Sequence, residues 1–309
     1  MTESIQDQIV EMAGGAPVRS APSLLAALKA LGLAVRVEQG FLRLVEPLEL
    51  LDAQKIRELM VSGAACEPVI CWQIDSTNTW LMARAAQPDF HGTVCLAEQQ
   101  LAGRGRRGRH WVSPFGKNIY LSIGQRLPGA ASALSGLSLV VGICVVRVLR
   151  GLGLQSVGLK WPNDVLLGTG KLAGILTEIA SVNRDSARVV IGIGVNLRLD
   201  AADLGQIDQP SAVIADQLPC ERNRLVAALL DELLPELEQF SQRGFSPYRE
   251  EWAGFDVFSG CEIRLLGADR ETLGINRGVD QQGNILVETA EGLEAFNAGE
   301  VSLRPRDKP

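Results

Sequence analysis

Residues 165–179 read V-L-L-G-T-G-K-L-A-G-I-L-T-E-I, two apolar runs on either side of Gly168-Thr169-Gly170. Such runs around a short glycine turn specify a hairpin, here Val165–Leu167 against Leu172–Ile179. A hairpin is antiparallel, which excludes a purely parallel, doubly wound sheet for this part of the chain. Upstream, Val69–Ile74, Thr93–Ala97 and Asn118–Gly124 read as strands. Asp75-Ser76-Thr77 offers N-caps to a helix running to about Ala86, and Ala131–Leu149 reads as a long buried helix. Downstream come a strand at Arg188–Leu197, an amphipathic helix at Arg222–Gln242 interrupted by Pro235, and a short helix around Pro247–Trp252. The fold class is therefore α+β, with a central mixed, mostly antiparallel sheet and helices.

The flanks differ in character. From Asp256 onward, short strands with turns at Gly267-Ala268-Asp269, Asp280–Asn284 and Glu291-Gly292 predict a small β-barrel. In residues 1–46, Pro22–Leu31 has helical spacing with Gly32 as C-cap, and Ala34–Val37 with Phe41–Val45 predicts a hairpin. Helix then hairpin is the tail end of a winged helix. The divisions follow as 1–48, a reduced winged-helix-like segment; 49–66, a helical linker; 67–255, the central domain; and 256–309, the barrel.

Composition narrows the function. The 309 residues carry 30 Lys plus Arg against 36 Asp plus Glu, with two His and six Cys but no C-x-x-C pair. No multi-His metal site is expected, and the absence of a basic and apolar leader points to a cytoplasmic protein with reduced thiols. Net charge is −2 over residues 1–66, zero over 67–255 and −4 over 256–309. Against that background, Gly103–Arg109 (G-R-G-R-R-G-R) packs four cations into seven residues and awaits something negative. For DNA the case is poor. The candidate recognition helix PSLLAALKA offers one cation and no Arg, Asn or Gln to read base edges.

Three motifs fail on context. Gly103–Gly108 fits G-x-G-x-x-G, but Pro114 and Gly116 deny the helix that a dinucleotide fingerprint needs. Gly170-Lys171 lacks the earlier glycine of a phosphate loop, since that position is Val165. Gly192-Ile193-Gly194-Val195-Asn196 stops inside an apolar strand.

What remains is a set of polar groups at strand ends. In the Arg-Gly loop, glycine lets backbone N–H groups approach an anion and arginine supplies forked donors, although an RGG-type nucleic-acid contact reads the same way. Trp111 is either core or a stacking plate for a purine. Lys160-Trp161-Pro162-Asn163-Asp164 sets a lysine, an amide and a carboxylate around a rigid turn. Lys171 opens a strand in which Ala173 and Gly174 leave room for a ligand.

Taken together, Asp75-Ser76-Thr77-Asn78, Gln100–Arg109, Lys160–Asp164 and Lys171–Leu176 resemble the biotin–protein ligase family, in the layout of bacterial members that double as repressors of biotin synthesis. The likeness covers roughly residues 32–304, and Gly192–Asn196 fits the family's later glycine strand. It implies a central domain similar to class II aminoacyl-tRNA synthetases and an SH3-like C-terminal barrel. It also implies a two-step reaction with ATP, biotin and Mg²⁺: biotinyl-5′-AMP forms, then a lysine of the biotin carboxyl carrier protein takes the biotinyl group. By the same resemblance Ser76, Thr77, Asn78, Gln100, Arg104, Gly105, Arg106, Lys171 and Gly174 bind biotin. Arg104, Arg106, Arg107, Arg109, Trp111, Asn163, Lys171, Asn196 and Arg304 bind the nucleotide. Lys171, Arg104, Arg106 and Asp164 carry catalysis, Asp164 orienting or deprotonating the acceptor amine, and no residue is assigned to a protein metal site. A homodimer through strands near Gly192–Asn196 is implied as well.

The chemistry suits these residue types. Bringing a carboxylate to a triphosphate sets like charges together, so cations are needed to hold them in line. A neutral ureido ring suits hydroxyls and amides. Two alternatives stay open here: attachment of lipoate or octanoate, and a DNA-binding repressor of biotin genes. Operator DNA is disfavoured by the N-terminal sequence.

Overall fold

The computed structural model describes residues 4–63, 66–129, 134–267, 271–298 and 302–305. The chain opens with α1 (Ile5–Ala13), whose N-terminus is closed by a reciprocal capping box between Ser4 and Asp7. β1 (Val18–Arg19), α2 (Pro22–Ala30), β2 (Val35–Glu38) and β3 (Phe41–Leu44) follow, the strands pairing antiparallel in the order β1-β3-β2. The expected helix and hairpin are present; α1 and β1 were not foreseen. Ile9, Met12, Leu24, Leu28 and Leu42 form the core of this unit, and Leu48 and Phe115 complete it, with Trp72 packed against it. Trp72 and Phe115 belong to the central domain, and their rings meet at 4.8 Å. The N-terminal unit is thus seated on the segment just after Trp111.

The linker is extended before it becomes α3 (Ala53–Leu59), capped by Asp52. It is fastened by buried polar groups. Glu98 accepts from Leu51 N and pairs with Arg222 at 2.6 Å, while Asn223 and Arg222 bind Glu49. Both members of the Glu98–Arg222 pair are almost fully buried, at 2% and 4% exposure. Such a pair specifies the docking geometry more than it adds net stability.

The central domain contains β4 (Val69–Ile74), α4 (Thr77–Met82), β5 (Val94–Gln100), β6 (Ile119–Pro128), α5 (Leu137–Gly151), β7 (Val157–Lys160), β8 (Asp164–Leu167), β9 (Gly170–Val182) and β10 (Ser186–Val195). These strands make one seven-stranded sheet in the order β4-β5-β6-β10-β9-β8-β7, in which only β4 and β5 pair in parallel. The mixed, mostly antiparallel reading holds. The hairpin of residues 165–179 is β8–β9, and β7 is an addition. The expected helix at 131–149 is α5; residues 130–133 lie outside the described ones.

β10 pairs with β6 on one side and β9 on the other. Gly192–Val195 of β10 therefore offer no free edge to a partner strand, whereas β9 beyond Gly174 pairs with no strand but β10. The helix expected to be interrupted at Pro235 is also continuous. After α6 (Ala201–Leu204), α7 runs unbroken from Arg222 to Arg243. Leu225, Leu229, Leu233, Leu237 and Phe240 keep one buried stripe across the proline, and packing on α5 overrides the local cost. α8 (Arg249–Phe255) leads to β11 (Glu262–Leu266), β12 (Glu271–Val279), β13 (Ile285–Thr289), β14 (Gly292–Phe296) and β15 (Ser302–Pro305). These form an antiparallel sheet in the order β14-β13-β12-β11-β15. The turn expected at 267–269 lies partly outside the described residues.

Strand alternation sends the two faces of the central sheet to different tasks. Ile175, Ile191, Ile193, Leu121 and Ile123 join the main core with α5 and α7. The opposite face carries Ser122, Gly124, Gly174, Glu178, Gly192 and Gly194, paired in register across β6, β10 and β9. One face is full; the other is left low, and α4 and the Arg-Gly loop cross above it.

Candidate active site

The site is built over that low face. Ser76 occupies the N-cap of α4 without capping it through its side chain, and Ser76, Thr77 and Asn78 are each 3% exposed. Gln100, at the end of β5, accepts from Thr77 N at 3.0 Å and from Thr77 Oγ1 at 3.2 Å. Its own amide donates to Ser113 Oγ, which donates to Trp111 O. Ser122 Oγ lies 2.6 Å from Asn78 Oδ1 and 2.7 Å from Thr77 Oγ1. Asn78 Nδ2 donates to Glu178 Oε2 at 2.8 Å and to Leu176 O at 3.3 Å.

The glycines make room for this arrangement. A Cβ on Gly192 would lie 2.3 Å from Asn78 Oδ1, and one on Gly194 would lie 2.4 Å from Trp111 Cε2. The G-x-G of β10 is thus a floor for two side chains and not a phosphate turn. Trp111 lies flat enough over the sheet that Cβ atoms on Gly174 and Gly194 would both meet its ring. Its buried Nε1 has no hydrogen-bond partner among the described residues.

The Arg-Gly loop is a tight turn. Gly105 N donates to Arg109 O at 2.7 Å, Trp111 N donates to Gly103 O at 2.9 Å, and Arg107 takes the left-handed backbone at φ 57°. This closure is the physical reason that no helix begins here. Arg104 pairs with Glu178 at 2.9 Å. Arg106 reaches inward to Asn163 Oδ1 at 3.1 Å and to the carbonyl of Ala298 in the C-terminal domain. Burial lowers the Arg106 pKa, opposed by Asp164 and reinforced by Arg107 and Arg109. Asn163 also donates to Ile175 O at 2.8 Å, which fixes the turn after the cis Trp161-Pro162 bond. Lys171 pairs with Asp164 at 2.6 Å, and its ammonium sits 5.4 Å from the Trp111 ring centroid.

Two cavities meet here. The first is lined by the hydroxyls and amides of Ser76, Thr77, Asn78 and Gln100, with Arg104, Gly105, Arg106, Lys171 and Gly174 toward one end. The second is lined by Arg106, Arg109, Lys160, Lys171 and Arg304, with Asp164 its carboxylate. Trp111, Asn163, Lys171 and Arg106 border both. Burial pushes the Lys160 ammonium below the usual lysine range, against the pull of Asp164 and with repulsion from Arg304, Lys171 and Arg109. Arg304 is lowered by burial and by Arg109 and Arg107. A neutral, hydrogen-bonding lobe thus opens into a cationic one, at Lys171.

Of the expected site residues, two line neither cavity. Arg107 is exposed and adds charge only through space. Asn196, 4% exposed, donates to the Lys171 carbonyl and holds the end of β10 beside β9. Ser122, Glu178 and Ser113 were missed as site residues, and Lys160 was singled out without a role. For Ser122 and Glu178 the signal was available: polar residues on the same alternation as Gly174, Gly192 and Gly194, set in otherwise apolar strands.

Fold and site define a class of protein with a two-lobed cleft on a mixed sheet, a hydroxyl- and amide-lined lobe opening into a cationic one. Residues 69–196 match the Biotin/lipoate A/B protein ligase family, and residues 258–304 match the Biotin protein ligase C terminal domain. A bifunctional ligase/repressor BirA of Salmonella typhimurium is 43% identical over 84% of this chain and 81% of that protein. A biotin--[acetyl-CoA-carboxylase] ligase of Mycobacterium tuberculosis is 34% identical over 81% of this chain and 95% of that protein. The solved biotin protein ligase from Aquifex aeolicus in complex with biotin and ATP superimposes with a TM-score of 0.65, at 26% identity, over 77% of this chain and 99% of that one. The chain belongs to the biotin protein ligase family.

Proposed function

We infer that the protein is an ATP-dependent biotin protein ligase that forms biotinyl-5′-AMP and transfers the biotinyl group to a lysine of a biotin carboxyl carrier protein. The observation that carries this reading is the junction of the two lobes at Lys171. The ureido head of biotin is met by Ser76, Thr77, Asn78 and Gln100, while its carboxylate ends beside Lys171 and Arg106. ATP lies in the cationic lobe with its adenine on Trp111 and its phosphates among Arg106, Arg109, Lys160 and Arg304. One carboxylate oxygen then attacks the α-phosphorus, pyrophosphate leaves, and the cations neutralise the charge that accumulates in line. Among the described residues no group of three or more His, Cys, Asp or Glu is placed to hold a metal ion. Mg²⁺ would be held by the phosphates of ATP with Asp164, the carboxylate facing that lobe, and would supply further neutralisation of their charge.

In the second step the acceptor amine attacks the acyl carbon of the adenylate and AMP leaves. Asp164, already ion-paired beside the acyl end, orients the amine and accepts its proton. The Arg-Gly loop covers the adenylate and keeps water from the mixed anhydride.

The same reading takes residues 67–255 as the catalytic domain, 49–66 as the linker, 256–309 as an SH3-like barrel and 1–48 as a reduced winged helix, in a cytoplasmic homodimer. The strand order β14-β13-β12-β11-β15 suits the barrel, and two edges stay open to a second copy: β4, with Val69 40% exposed, and β9 beyond Gly174, with Ile179 49% and Val182 45% exposed. Repression of biotin genes is disfavoured. Residues 14–21, with β1 among them, separate α1 from α2, so no helix-turn-helix forms, and α2 presents Leu25, Ala26 and Lys29 outward. Incubation with biotin, MgATP and a carrier domain is expected to release pyrophosphate and biotinylate one carrier lysine, whereas lipoate and octanoate give no product. Absence of biotin transfer refutes the reading.

A further inference from the structure

A carboxylate stands just behind the wall of the biotin lobe. Glu178, on β9, is 23% exposed in its side chain, and its Oε2 accepts at once from Asn78 Nδ2 at 2.8 Å and from Arg104 at 2.9 Å. The charge of Arg104 is therefore spent within the protein. Glu178 does not itself line the biotin lobe, but both of its partners do. Asn78 sits at the start of α4, Arg104 in the loop that crosses the lobe. One oxygen ties the wall to the roof.

We propose that Glu178 is the positioning residue of the biotin lobe, latching the Arg-Gly loop through Arg104 and fixing which way the Asn78 amide points. A carboxylate only accepts hydrogen bonds, so it compels Asn78 to turn its Nδ2 toward β9. Asn78 Oδ1 is thereby left beside Ser122 Oγ, at 2.6 Å, where it accepts from the hydroxyl and keeps a lone pair for a ureido N–H. Gly192 completes the device, because any Cβ there would strike that oxygen at 2.3 Å. Arg104 then acts as the clasp between the loop and β9. This assignment rests on the ligase reading for its substrate, but the latch itself is a property of the unliganded protein.

The test compares wild type with Glu178→Gln, Arg104→Gln and the double variant. In the ligand-free proteins, trypsin cleavage after Arg107 and Arg109, which no variant removes, is followed by mass spectrometry. Each single variant is expected to raise cleavage by about threefold to tenfold, the range for a half-buried charged pair, and the double variant to add nothing further. With substrates, Glu178→Gln is expected to raise KM for biotin and speed loss of bound biotinyl-5′-AMP while KM for ATP stays within about twofold. Unchanged loop cleavage, additive single effects, or a rise confined to KM for ATP overturns the proposal. Arg104 is 45% exposed, so Arg104→Gln keeps the test valid if the Glu178 variant folds poorly. Wild-type protein that forms no adenylate defeats the ligase reading and leaves the proteolysis result standing by itself.

Discussion

Replacing Gly194 by alanine separates the two substrates within one strand. The added Cβ would lie 2.4 Å from Trp111 Cε2 and 2.6 Å from both Cζ2 and Nε1, where ordinary contact begins at 3.4 Å. The indole must therefore retreat by about 1 Å, because β10 is held by ladders on both sides and packed interiors do not yield that much. Loss of a well-placed aromatic plate under a base is worth roughly 1–3 kcal/mol, so KM for ATP is expected to rise between about 5-fold and 150-fold. The crowding itself costs about 1–3 kcal/mol of stability, so thermal unfolding is recorded alongside. Gly192→Ala is the mirror experiment: its Cβ meets Asn78 at 2.3 Å and should raise KM for biotin instead. The assay is initial-rate pyrophosphate release, with one substrate varied while the other is saturating. If Gly194→Ala weakens biotin and spares ATP, or if both variants behave alike, the assignment of one lobe to each substrate is refuted.

Further expectations follow from the same geometry. Lys171→Gln removes one of the two cations that border both lobes and is expected to lower the rate of adenylate formation by about 10²–10³-fold, measured in single turnovers; a rate within a factor of about three of wild type contradicts its role. Lys160 gives a pH signature. Its pKa is lowered by burial, with Asp164 opposing, and bound phosphates favour its ammonium form. ATP affinity is thus full below the lowered pKa and falls as pH rises through it, before the ordinary value of 10.5. In Lys160→Arg the charge persists, so KM for ATP should rise less with pH than in the wild type, and identical profiles remove Lys160 from the nucleotide lobe. Phe115→Ala deletes a ring that is 1% exposed in the core of the N-terminal unit, at a cost of about 3–5 kcal/mol read by denaturant unfolding. A loss below about 1 kcal/mol would mean that the N-terminal unit is not seated on Phe115.

Much of the site was legible because its segments are local. G-R-G-R-R-G-R declares an anion site by density of charge alone, and the same stretch, with Pro114 and Gly116 after it, rules out a helix-borne phosphate site. Ser76, Thr77, Asn78, Gln100, Arg106, Lys171 and Arg304 do line the two lobes. Ser4 and Asp7 could have announced α1, but a capping pair with aspartate in place of glutamate is a weak signal ahead of a helix of nine residues. Pro235 misled for the opposite reason, since a strong local signal was outweighed by a buried stripe on both sides of it.

By itself, then, the sequence determined the hairpin of residues 165–179, hence the mixed sheet, along with the cationic loop and the order of the motifs. Each of these is decided by neighbours within a few residues, where turn chemistry and charge density act directly. Tertiary structure alone decided that β10 is interior and offers no edge, that Gly192 and Gly194 open the face on which Asn78 and Trp111 rest, and that Asn196 braces a strand end. It alone joined Glu178 to Arg104 and to Asn78, residues 74 and 100 positions away along the chain. Such pairings are fixed by cross-strand register, where a slip of one residue would turn every one of these side chains to the opposite face.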